Sequence, residues 1–194
     1  MPDAALRQAT YEDLKAVPEN MVAEILFGTL VTHPRPAPRH TTAASALGVE
    51  LGNPFQRGRG GPGGWLILDE PELHLGPHVV VPDIAGWQRE RLPALPDTAW
   101  IETPPDWACE VPSPSTERYD RGDKRRICAT YGVAHLWLLD PVAKLLEVFA
   151  LRDQLWVLFD SLADGADVKA PPFEAVPFPI ANLWPLDPPP PAAT

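Results

Sequence analysis

Three residues of the right types occur in a telling order. Asp83 follows Val80-Val81-Pro82, Glu110 ends a short apolar run, and Lys124 sits in a charged helical stretch. Two carboxylates on neighbouring strands can face the same side of a sheet and hold one hard cation. Mg²⁺ needs only one or two protein carboxylates, keeps several waters and meets the phosphate oxygens of a substrate. Such an ion lowers the pKa of its water and offsets charge on a phosphodiester. A lysine beside it orients that water and makes an anionic site attractive to phosphate. Singly, each residue is ordinary: Pro-Asp is a common turn, a strand glutamate is commonly solvated, and Lys124 has Asp120 as an i,i+4 surface partner. The chemistry rests on the three together.

The surrounding pattern says what must position them. Thr10 is a helix cap, with Glu12 and Asp13 in the first turn and Pro18 as the stop. Residues 21–32 read as a β-hairpin turning at Phe27-Gly28. Residues 39–51 carry Ala43, Ala44, Leu47 and Leu51 at helical spacing, with Gly52 as a stop signal. The glycine-rich residues 55–64 lack the endings of a phosphate-binding loop and read as a flexible connection. Residues 65–68 and 72–75 read as strands, and residues 79–87 as one extended run through Pro82. Residues 107–111 are a strand, 112–116 a turn with a cap at Thr116, and 117–131 a charged helix ended by Gly132. Residues 135–139 are a strand, and 145–151 with 155–159 a hairpin. The order predicts an α/β fold: a mixed β-sheet flanked by helices, with an N-terminal β-hairpin.

Composition narrows the class. The chain has 194 residues, 45% hydrophobic and 22% charged, enough for one domain with a real core. We expect that domain over residues 1–185, followed by a proline-rich tail, residues 186–194. No apolar run reaches the ~20 residues that span a bilayer, and the first ten residues lack a secretory leader's apolar stretch. Cys109 and Cys128 have no metal-type spacing and read as buried, reduced thiols, so a cytoplasmic location without membrane contact is expected. The net charge of -10 argues against strong non-specific nucleic-acid binding, which runs on Lys and Arg. It suits a metal site, whose ion reverses the local field.

The motif order resembles the Uma2 family (DUF820) of the PD-(D/E)XK restriction-endonuclease-like superfamily. The resemblance runs through Pro82-Asp83, then Glu110-Val111-Pro112-Ser113, then Asp120 and Lys124, then Tyr131-Gly132 and the strand ending Asp140-Pro141. Glu24 and Gly28 of the hairpin and Pro38-Arg39-His40 at a helix start match as well. It implies a restriction-endonuclease-like core, with Asp83 and Glu110 as metal-binding carboxylates for Mg²⁺ or Mn²⁺. It implies Lys124 as the superfamily lysine and Glu24 as an additional acid. The usual lysine position, two residues after the acid, is here Pro112, so the amine must reach in from the helix on its long stem. Two further departures are Pro112 in place of the family's leucine and Cys128 in place of a tyrosine.

The function expected is a metal-dependent endonuclease hydrolysing DNA phosphodiester bonds, as a homodimer because two-fold pairing suits two strands. The alternatives are a non-catalytic binding or assembly module with a vestigial site, and a hydrolase of another phosphate ester such as RNA. Among weaker candidates, His40 has two readings, a residue at the site rim and, favoured over it, a surface or capping residue. Arg118, Arg121, Arg125 and Arg126 have two readings, a basic patch for phosphates and, favoured over it, a solvated face paired with Glu117, Asp120 and Asp123. Trp87, Trp107 and Trp137 read as core.

Overall fold

Thr10 starts the first element as its sequence context suggests. Its hydroxyl accepts the Asp13 N–H, and the Asp13 carboxylate accepts the Thr10 N–H at 2.8 Å, a capping box that opens α1 (Tyr11–Lys15). In this computed structural model, which describes residues 7–185, the first six residues and the expected tail at 186–194 lie outside the described residues. The hairpin forms as β1 (Met21–Leu26) and β2 (Thr29–Pro34). Its turn residues Phe27 and Gly28 both have positive φ (50° and 77°), the conformation that matches strand twist in two-residue hairpins.

Gly52 does not stop the next helix. α2 (Pro38–Leu51) runs into a π-helical turn over Gly52–Gln56, with Gly52 itself right-handed at φ -63°. Pro54 has no N–H to continue the α-helical ladder, so the helix widens before it ends. The glycine-rich connection is held rather than loose: the Gly63 N–H reaches the Pro54 carbonyl at 2.9 Å, and Gly61 lies so close to Pro54 that a Cβ there would meet it at 2.5 Å.

The extended run over residues 79–87 proves to be two strands in different sheets. After β3 (Trp65–Asp69) and β4 (Leu73–Leu75), β5 (His78–Val80) joins a four-stranded sheet of order β2-β1-β5-β4. β6 (Ile84–Gln88) then opens the pairing of the main sheet. Pro82, with no N–H to donate, sits where the chain leaves one ladder for the other.

The main sheet has the order β10-β9-β8-β7-β6-β3, with β7 (Trp107–Glu110), β8 (His135–Asp140), β9 (Leu145–Arg152) and β10 (Leu155–Leu162). It is mixed, as expected: β7 and β8 are parallel and the other pairs antiparallel. The parallel crossover between β7 and β8 is one helical stretch in three parts: α3 (Glu117–Tyr119), a π-helical segment (Asp120–Lys124) and α4 (Arg125–Thr130).

Strand alternation divides the sheet into two unlike faces. Ile84, Trp107, Cys109, Trp137 and Val148 point to one face and bury against Leu47 and Leu51 of α2. Gly86 allows this packing, since a Cβ there would press on the Trp107 and Trp65 rings at 3.2–3.3 Å. Much of that cover comes from residues 163–185, a stretch the sequence pattern left unread. It includes β11 (Asp167–Val168), β12 (Phe178–Pro179) and a 3₁₀ turn (Ile180–Leu183), and it plants Phe173 against Trp65, Trp107 and Trp137. The other face carries Ala85, Trp87, Ala108, Leu136 and Leu138 beneath the crossover helix, where Ile127 and Cys128 are buried. Cys109 and Cys128 are both buried free thiols, and Trp87, Trp107 and Trp137 are core, as their contexts suggested. Among the described residues no helix is long and apolar enough to cross a membrane.

Candidate active site

Register brings the two carboxylates together. Ile84 of β6 pairs with Cys109 of β7 at the end of their ladder, so Asp83 just before β6 and Glu110 at the end of β7 fall close enough to influence each other's charge. Both lie on the face covered by the crossover helix. Like charges on neighbouring strands repel, so their placement needs something positive nearby. Asp83 is anchored on both oxygens. Oδ2 accepts the Val111 N–H at 2.7 Å, and Oδ1 accepts from His40 Nε2 at 2.7 Å.

Lys124 supplies the local cation. Its Nζ lies 2.8 Å from Glu110 Oε2, 3.0 Å from the Val81 carbonyl, 3.3 Å from Glu24 Oε1 and 3.4 Å from Asp120 Oδ1. The π-helical segment matters here. Its wider turn leaves both Asp120 and Lys124 buried on the inner side of a stretch whose other charges stay more exposed, and π-turns recur at functional sites. Glu24 reaches in from β1, accepts the Val81 N–H at 2.8 Å, and faces His33 Nε2 at 3.6 Å. Strands from both sheets thus converge where the chain crosses between them at Val81-Pro82-Asp83.

Glu110 is 2% exposed and Lys124 5%, while the Asp83 side chain is more open at 16%. Burial, followed by Lys124's four acidic neighbours in their order of strength, governs protonation. Burial alone would lower the Lys124 pKa, but Glu110, Glu24, Asp120 and Asp83 together drive it well above the ordinary lysine value. Burial pushes Glu110 well above the usual carboxylate range; Lys124 opposes this, and Asp120, Asp83 and Glu24 add to it. Asp120 is raised for the same reasons, again with burial first. For Glu24 burial also pushes upward, but Lys124, His33 and the Val81 N–H outweigh it and the net shift is downward. The ammonium therefore persists, and Glu110 and Asp120 are the acids whose ionised forms burial disfavours.

Of the residues singled out in the sequence, Asp83, Glu110 and Lys124 line one pocket, and Glu24 meets them through Lys124 without lining it. Two others belong with them. Asp120 is not a surface partner of Lys124 but a buried one, 3% exposed. His40 is not a capping residue: it is buried at the start of α2 and bonded to Asp83, with its Nδ1 buried and unpartnered. A cap on a short proline-led helix and a ring aimed at a carboxylate look alike in sequence. Resemblance at Pro38-Arg39-His40 was the one available signal. The arginines behave as a paired face. Arg121 binds Glu117 and Glu147 at 3.0 and 2.6 Å, Arg126 lies 3.9 Å from Asp123 and over Phe27, and Arg125 lies over Phe149. Thr116 does not cap α3; its hydroxyl accepts the Ser113 N–H at 3.1 Å instead.

The donor set fits a hard divalent ion. Four oxygen-bearing acids share one lysine, two of them hold raised pKa values, and an added cation would relieve that excess. Among the described residues no three His, Cys, Asp or Glu side chains form a ready-made metal cage. A Mg²⁺-type site does not require one, because water and substrate oxygens complete its shell. Above these groups lies a pocket of about 250 Å³, bounded by the β2–α2 connection and the Ser113-Pro114-Ser115-Thr116 turn.

The model of the Uma2 family, described as "Putative restriction endonuclease", matches residues 9–180. The crystal structure of "a putative nuclease belonging to DUF820" from Anabaena variabilis ATCC 29413 superposes with a TM-score of 0.73 at 23% identity. It covers 91% of this chain and 97% of that one. At that identity the likeness speaks for the fold, and the fold is the nuclease-type α/β architecture the sequence led us to expect. No curated protein matches the chain.

Proposed function

The chain belongs to the Uma2 family, and from that premise we propose that its pocket hydrolyses DNA phosphodiester bonds with one Mg²⁺ or Mn²⁺ held by Asp83 and Glu110. The observation that carries this reading is the carboxylate pair at the end of the β6–β7 ladder with the Lys124 amine 2.8 Å from Glu110. When bound, the ion would supply a water of lowered pKa and neutralise charge on the phosphate. The protein's own groups do the rest. Lys124 stays protonated and presents a fixed positive charge beside the reacting phosphate. Glu24 and Asp120 hold that ammonium in place, and Glu24 also fixes the Val81 N–H. His40 and the Val111 N–H orient Asp83. The arrangement excludes bulk water from Glu110 while leaving Asp83 accessible.

The closure of the Lys124 network supports a second reading, a non-catalytic module. The ammonium already has four oxygen neighbours, and such a network could serve the fold alone. Two measurements separate the readings. DNA cleavage in Mg²⁺ or Mn²⁺ is expected from wild type and lost in Glu110→Ala; equal behaviour of the two ends the enzyme reading. Calorimetry with Mn²⁺ is expected to show one site, abolished by Asp83→Asn; no heat from wild type favours the module.

A further inference from the structure

The pocket mouth has a composition that the cleavage chemistry does not use. Arg35, in the link between β2 and α2, is the one well-exposed cation lining it among the described residues. Its side chain is 58% exposed, donates to the Glu19 carbonyl at 3.0 Å and stands 3.9 Å from Glu70, a loose ion pair in water. The same pocket is lined by the Ser113, Ser115 and Thr116 hydroxyls, which form a cluster with 3.0 Å contacts from Ser113 Oγ to Ser115 Oγ and to Thr116 Oγ1. A guanidinium fork and hydroxyls lining one pocket are a setting for a phosphate group, and they read no base.

Size and charge restrict what can bring that phosphate. At about 250 Å³ the pocket lies just below the usual range of ligand sites, roughly 300–1,000 Å³. That is room for a nucleotide, not a double helix. Its rim includes Pro34, Pro36 and Pro114, whose fixed φ angles resist widening. Glu110 and Lys124 lie at its buried floor, so a phosphate must enter to reach them. A duplex is held by many Lys and Arg contacts to its dense charge. On the crossover helix, Arg121 is occupied by Glu117 and Glu147, and Arg126 by Asp123 and the Phe27 ring. Glu70 on the same rim further disfavours a close-packed pair of strands.

We propose that the pocket admits an unpaired nucleic-acid strand one nucleotide at a time, with Arg35 docking a phosphate at the mouth. This rests on the reading of the floor as a phosphodiester-cleaving site and names its substrate class. Arg35 touches substrate without joining the acid–lysine network. Being exposed, it can be changed without disturbing the fold.

The test is fluorescence anisotropy of the full chain with labelled oligonucleotides in Ca²⁺: a dT 12-mer, an rU 12-mer and a 12-base-pair hairpin duplex. The expected result is at least 10-fold tighter binding of an unpaired strand than of the duplex, the DNA and RNA arms identifying which sugar is taken. Arg35→Ala is expected to weaken single-strand binding about 10-fold and to reduce the salt slope by about one, with Arg35→Lys restoring part of both. Equal or tighter duplex binding overturns the proposal, as does absence of binding by any oligonucleotide, or an Arg35→Ala protein that binds like wild type. Cleavage lost in Glu110→Ala together with duplex preference would sink this inference and leave the nuclease reading standing. Arg35-dependent single-strand binding by a protein that cleaves nothing would do the reverse.

Discussion

The two faces of the main sheet are built from the same strands and obey different rules. On one face β6, β7 and β8 present Ile84, Trp107, Cys109 and Trp137, every one buried among apolar partners. One residue along, the same strands bring Asp83 and Glu110 to the other face, under a helix that delivers a lysine. The first face gains stability from contact and volume. The second holds buried charge, which costs free energy and is tolerated because each group has a partner. Strand parity alone assigns a residue to one regime or the other, so a one-residue slip would exchange core for site.

Substitutions on the two faces should therefore fail differently. Trp107→Ala is expected to cost about 3–5 kcal/mol of stability through the cavity it leaves. Lys124→Ala should cost a similar ~3–5 kcal/mol for another reason, the stranding of buried carboxylates. Urea unfolding with and without Mn²⁺ tells them apart: the ion should recover part of the Lys124→Ala loss and none of the Trp107→Ala loss.

Glu110→Gln should invert the pattern. Cleavage is expected to fall by at least ~10²-fold, while stability stays level or rises, because a charge held against burial has been removed. The pH dependence sharpens this. A carboxyl with a folded pKa above its unfolded value binds more protons when folded, so stability falls as pH rises from about 4.3 through the folded value. Glu110 and Asp120 act in that direction. Glu24 acts oppositely: it adds stability above the ordinary carboxylate pKa and loses it as pH falls through its lowered value. In thermal melts from pH 4 to 8 without metal, the advantage of Glu110→Gln over wild type should grow with pH. A constant difference would mean that Glu110 is not held above its usual range.

His40 gives a smaller effect. As the orienting partner of Asp83, its replacement by alanine should weaken Mn²⁺ binding by roughly 10–100-fold with an intact fold. Unchanged affinity would make the 2.7 Å contact incidental. Smallest of all, Arg126→Ala on the paired outer face should change stability by no more than about 0.5 kcal/mol and leave metal affinity alone.

The division into faces was partly legible in the sequence. Asp83 and Glu110 stand out because one follows Val80-Val81-Pro82 and the other ends an apolar run, and the hairpin turn at Phe27-Gly28 and the cap at Thr10 have local signatures. Lys124 could be placed on a helix, but its approach to Glu110 depends on a π-helical segment that no periodicity announces. Asp120 looked like a surface ion-pair partner because i,i+4 spacing is the same on buried and exposed helix sides. The break between β5 and β6 was hidden by an unbroken run of strand-forming residues, with Pro82 its one mark. Residues 163–185 have no period at all, yet they bury Phe173 and Ile180, since irregular chain can fill a core whose shape the rest of the fold defines.

The central claim is that Asp83 and Glu110 hold one divalent cation beside Lys124. A crystal soaked in Mn²⁺ and measured for anomalous scattering tests it most directly. The account expects a single peak bonded to both carboxylates at about 2.1 Å, with the Lys124 amine within hydrogen-bond reach of the ion's waters. A peak elsewhere, or none at saturating Mn²⁺ with Glu110 still closed on Lys124, would contradict it.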